Sequence, residues 1–87
     1  MKFLKHNMSD EKISSILSDY HRNHFPGNFT LVYELPVPHC GDYYNYKIFW
    51  DKELCDEYCT RDRELFINKF NETLLTVYYF TLKEDKS

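Results

Sequence analysis

Apolar positions fall into a helical rhythm early in the chain and into strict alternation through its middle. Ile13, Ile16, Leu17, Tyr20 and His24 stand at offsets 0, 3, 4, 7 and 11, which lines up one stripe of a helix. Ser9 is placed to cap that helix, and Asp10 and Glu11 suit the positive end of its dipole. Pro26-Gly27-Asn28 should end it. Phe29, Leu31, Tyr33 and Leu35 then alternate with Thr30, Val32 and Glu34, the period of a strand. A polar connection follows at Pro36-Val37-Pro38-His39-Cys40-Gly41-Asp42, where the prolines cannot donate to a ladder. Tyr44, Tyr46, Ile48 and Trp50 alternate with Asn45, Lys47 and Phe49, giving a second strand that pairs antiparallel with the first.

After Trp50 the alternation stops. Asp51 is read as the cap of a helix bearing Leu54, Cys55, Tyr58 and Cys59, with Leu65, Phe66 and Phe70 on the same side. An unbroken helix would place Asp62 and Lys69 inside that apolar stripe, so the pattern predicts a break near Thr60, with Thr60 capping a second segment. Thr73 through Leu82 is dense in β-branched and aromatic residues and apolar on both faces, which predicts a long strand. The expected fold is a small α+β domain of order α-β-β-α-α-β, a three-stranded, mainly antiparallel sheet with helices packed on it. Residues 1–8 and 83–87 are expected to be loose ends.

Length and composition narrow this picture. The 87 residues allow one domain, and a chain this short buries only about 60–65% of the surface its unfolded form exposes. Large rings offset the small core: eight Tyr, seven Phe and Trp50 occur without a single Ala. The formal charge of −3, from eleven basic and fourteen acidic residues, argues against a nucleic-acid binder, which concentrates Lys and Arg for phosphate neutralisation. Many Lys, Asn, Phe and Tyr codons with no Ala or Gln suggest an AT-rich genome, with a phage or virus favoured. Met1 to His6 is followed by polar Asn7-Met8-Ser9-Asp10 rather than an apolar stretch, so no secretory signal is expected. Nor does any apolar run approach the roughly 18 residues of a membrane span. Three cysteines, an odd number, fit a reducing cytoplasm better than a disulfide framework. The sequons at Asn7, Asn28 and Asn71 are therefore expected to carry no sugar.

Candidate chemistry is sparse. Cys55 and Cys59, four apart on a helix, would present both thiols to one side, and His39 and Cys40 could complete a tetrahedral zinc shell. Buried thiols acting as small hydrophobes explain the same residues with less machinery. A thiol-dependent enzyme is a further alternative, but acidic Asp56 and Glu57 would tend to raise a nearby thiol's pKa rather than activate it. His21 and His24 suit the C-terminal end of the first helix. With only Gly27 and Gly41 there is no phosphate-cradling loop, and no HExxH or nucleophile-elbow sequence occurs.

The expectation is thus a non-enzymatic interaction protein without a cofactor, pressing an acidic, ring-rich surface onto a larger host protein. Asp42, Tyr43, Tyr44, Glu53, Asp56 and Glu57 are the candidate partner-binding residues. Carboxylates would steer approach to a basic site, such as that of a nucleic-acid-binding or nuclease complex of host defence, and rings would anchor it. Tyr44 and Tyr46 have a competing role as packing on Trp50's face of the sheet. Pairing of an exposed strand edge with a second copy would give a homodimer.

Overall fold

The computed structural model describes residues 2–25, 28–36 and 43–85, with side chains for all of these except 23, 24 and 82–85. Helix α1 (Asp10–Asp19) leads into a wider, π-type turn at Tyr20–His24. Strands β1 (Phe29–Glu34), β2 (Tyr44–Trp50) and β3 (Glu53–Thr60) follow, and helix α2 (Arg63–Asp85) closes the described chain. The sheet is an antiparallel meander in the order β1-β2-β3. The α+β class and the three-stranded antiparallel sheet match the sequence pattern. The order is α-β-β-β-α, however, so two elements differ from expectation.

The first correction concerns residues 51–60. Asp51 caps no helix. It forms with Lys52 the two-residue turn of a hairpin, at φ 46° and 73°, the left-handed pair that matches the twist of the flanking strands. Leu54 pairs with Phe49 and Asp56 with Ile48, so Cys55 is an extra residue opposite neither. That bulge shifts the alternation mid-strand and mimics helical spacing for Leu54/Tyr58 and Cys55/Cys59. The second correction concerns residues 60–82. There is no break after Phe70, and Thr73–Leu82 is helical. Phe66, Phe70, Leu74 and Val77 continue one buried stripe along α2, and packing on the sheet overrides the β propensity of the residues between them. Thr76 and Thr81 turn their hydroxyls onto the carbonyls of Glu72 and Val77, at 3.1 and 3.0 Å, a bond that accommodates Thr within a helix. The cap of α2 is Asp62, whose Oδ1 accepts from the amides of Glu64 and Leu65 at 2.9 and 3.3 Å. Thr60 supports it from two residues upstream, accepting from the Asp62 amide at 3.1 Å.

Ser9 caps α1 as expected, accepting from Lys12 N at 3.1 Å. Both helices cover the same face of the sheet. Ile13, Ile16 and Leu17 from α1, Leu31, Tyr44, Tyr46 and Ile48 from the strands, and Phe66, Ile67, Phe70 and Leu74 from α2 share one core. On the opposite face Val32, Lys47, Glu57 and Cys59 are exposed. His21 Nδ1 donates to the Leu31 carbonyl at 2.6 Å, fastening the turn after α1 to β1.

The leading residues are not loose over 2–8. Leu4 is buried, and Asn71 of α2 accepts from its amide and donates to its carbonyl, both at 2.8 Å. The Tyr20 hydroxyl bonds the backbone of Lys2. Arg63 binds the carbonyls of His6 and Met8 and forms an ion pair with Asp10 at 3.0 Å. Among the described residues no helix is long and apolar enough to cross a membrane.

Candidate functional site

The sequence-selected residues do not converge. Asp42, His39 and Cys40 lie outside the described residues. Tyr43 is exposed, with the Arg61 guanidinium 4.8 Å from its ring centre. Tyr44, its neighbour, is buried against Phe66, ring centres 5.4 Å apart, because alternation turns it to the core. Burial raises its phenol pKa, the Asp10 charge adds to the rise and Arg63 opposes it. Glu57 is exposed on the open face, opposite Lys47. Glu53 is exposed beside Trp50, its ladder partner. Asp56 faces the helices and is half-buried. The docking patch expected from sequence is therefore split among the core, the open face and the far end of the hairpin.

Cys55 and Cys59 likewise part company. Cys59 pairs with Asn45 on the open face, whereas the bulge carries Cys55 to the side of Ile48 and Trp50. The shared helix face on which a zinc pair depended is absent, because the segment is a strand. Among the described residues no three His, Cys, Asp or Glu side chains group closely enough to hold a metal.

The structure does assemble a site the sequence reading did not name. Between the second half of α2 and the hairpin end of the sheet runs an open groove of about 500 Å³. Phe29 and Trp50, ring centres 4.6 Å apart, wall it on the sheet side, and Val77 and Phe80 on the helix side. Lys69, Glu72 and Thr76 add polar groups from α2. A second hollow, at the other end of the sheet, includes Tyr43, Tyr33 and Cys59. Its carboxylate, Glu34, accepts from Asn45 Nδ2 at 3.3 Å.

Asp56 lines the α2 groove from β3. Its Oδ2 lies 3.2 Å from both the Tyr46 and the Thr73 hydroxyls, which are themselves 2.8 Å apart, so the two protons serve two of these three contacts at a time. Tyr46 is fully buried and Thr73 nearly so, so the carboxylate is anchored from below by groups that cannot reorient freely. Burial pushes the Tyr46 phenol far above its ordinary pKa of 10.0; the bond from Thr73 opposes this and the Asp56 charge adds to it. Oδ1 of Asp56 has no partner among the described residues, where the ion pair is Arg63–Asp10 alone. The arrangement is an oriented anion lining an apolar slot, suited to holding a cation attached to an apolar stem.

Of these residues Asp56 alone was singled out for binding from the sequence, whereas Phe29, Trp50, Thr73, Val77 and Phe80 were not. The signal was the spacing of Phe66, Phe70, Leu74 and Val77, which extends a helix across 73–82 and brings its flank to the hairpin. Compared with known proteins, the chain matches no family model, no curated protein and no solved structure.

Proposed function

We propose that this chain is a non-enzymatic interaction module that seats a cationic, apolar-stemmed segment of a larger protein in the α2 groove and thereby occludes a basic site of that partner. The supporting observation is the Asp56 carboxylate, held by Tyr46 and Thr73 beneath walls of Phe29, Trp50, Val77 and Phe80. Sign follows from charge: the groove offers Asp56 and Glu72 against Lys69, Glu53 lies beside Trp50, and the whole chain carries −3. Carboxylates speed approach to a basic surface, and buried rings at the centre of a contact supply most of the binding energy. The composition of the chain supports a phage or viral origin, and with it a nucleic-acid-binding protein or nuclease of the host's defence as the partner.

Thr76→Arg tests this reading. Thr76 is exposed and lines the groove, so a long cation there fills the slot and reverses its charge while α2 stays intact by circular dichroism. A host protein with a basic site should co-purify with the wild type, compete with that site's own ligand, and be lost with the variant. Equal capture by both chains would remove the groove from the account.

A further inference from the structure

We infer that the side chain received by the groove is an arginine, with its guanidinium on Oδ1 of Asp56 and its stem between the Trp50 and Val77 walls. The inference rests on the docking role proposed above and specifies its ligand. Three observations lead to it.

The first is the state of the carboxylate. Oδ2 is engaged by the Tyr46–Thr73 hydroxyl pair while Oδ1 has no partner among the described residues, and Lys69, although it lines the groove, is not within ion-pair distance of Asp56. A neutral apolar ligand would take water from Oδ1 and give nothing back, which disfavours it. An anion would meet both Asp56 and Glu72. A cation alone restores what desolvation removes.

The second is the setting of that charge. Asp56 is part-exposed among aromatic and aliphatic walls, and the cations whose apolar stem covers such walls while the head meets a carboxylate are lysine and arginine. The third is the character of the walls. Trp50, Phe29 and Phe80 are rings, and a guanidinium stacks on rings and gives up its hydration more readily than an ammonium does. The protein already makes one such contact, Arg61 over Tyr43. With the hydroxyl pair on the Oδ2 side, the guanidinium approaches from the Oδ1 side and keeps its remaining donors for Glu72 or for the partner's own backbone.

The test is a titration of the isotopically labelled protein with acetyl-Leu-Arg-Leu-amide and its lysine, citrulline and norleucine counterparts, following amide and Trp50 indole shifts. The arginine peptide should give saturable shifts at Trp50, Asp56, Thr73 and Val77. Citrulline, which keeps the shape and loses the charge, should bind roughly tenfold or more weakly, and lysine should fall between them. Asp56→Asn should reduce the arginine peptide to the citrulline level. Should that variant misfold, Phe80→Ala, at an exposed position, should weaken the arginine peptide without changing the fold. Equal binding of the norleucine peptide, or shifts scattered away from the groove, would overturn the arginine assignment. That failure is separable from failure of the docking role, which depends on partner loss with Thr76→Arg.

Discussion

Residues 63–71 and 73–81 are successive stretches of one helix on one core, yet the rest of the chain treats them differently. Along the first stretch Phe66, Ile67 and Phe70 are fully buried, Arg63 ties down the backbone at His6 and Met8, and Asn71 clasps Leu4. Along the second, Leu74 and Val77 are buried while Leu75, Tyr79 and Phe80 are more than half exposed. Among the described residues, the hydrogen bonds that tie the N-terminal segment to α2 all fall on the first stretch. At about 1.5 Å per residue α2 runs some 34 Å, against roughly 26 Å for the longest strand, so a three-stranded sheet cannot cover all of it. Cohesion is concentrated at the start of the helix, and accessible apolar surface beside a fixed charge is left toward its end.

The sharpest way to break this contrast is a matched pair of truncations. Phe70→Ala should destabilise by about 3–5 kcal/mol through lost burial and the cavity left behind. Phe80→Ala should stay within about 0.5 kcal/mol in the same denaturant titration. Comparable losses would mean that the two stretches are equally integral to the core. Asn71→Ala should cost about 1–3 kcal/mol, because it strands the Leu4 amide and carbonyl, and amide exchange in residues 2–8 should accelerate.

Tyr46 joins the core to the groove and carries a pH signature. Its phenol is raised from 10.0 in the folded state, so as pH climbs the unfolded chain releases this proton first. The associated stability is complete below pH 10.0 and drains away above it. Tyr20 and Tyr44 are raised in the same direction, chiefly by burial. Alkaline denaturation should therefore begin just above pH 10, and Tyr46→Phe should flatten the decline even though it lowers stability at neutral pH by about 1 kcal/mol. One further effect is a gain. Lys52 sits at φ 73° without being glycine, and Lys52→Gly should add about 1 kcal/mol by relieving that conformation. A loss of stability instead would show that the Lys52 side chain makes its own contribution to the hairpin.

The α1 cap, β1, β2 and their antiparallel pairing were legible because each obeys a local rule: Ser9 before an acidic first turn, and clean alternation from Phe29 and from Tyr44. β3 was not legible, for two physical reasons. Its turn uses Asp51-Lys52 where a glycine would have announced a hairpin, and the bulge at Cys55 breaks the two-residue period. The second half of α2 was concealed by its own composition. Thr, Val, Tyr and Phe favour strands on average, and only the sheet beneath them selects the helix. The candidate site lay beyond local rules altogether, since Asp56, Thr73 and Trp50 meet only once β3 and α2 are correctly placed. Asp56 was singled out for its charge, and its anchoring by Tyr46 was not foreseeable from spacing.

The meander has two borders, and they are guarded unequally. On β1 the Leu31 carbonyl is taken by His21. On β3 the irregularity at Cys55 interrupts any regular row of backbone groups, and Glu53, Asp56 and Glu57 stand along it. A like strand approaching in register would bring carboxylates against carboxylates on a kinked template. In a protein that is 18% aromatic, such a border disfavours templated edge-to-edge growth.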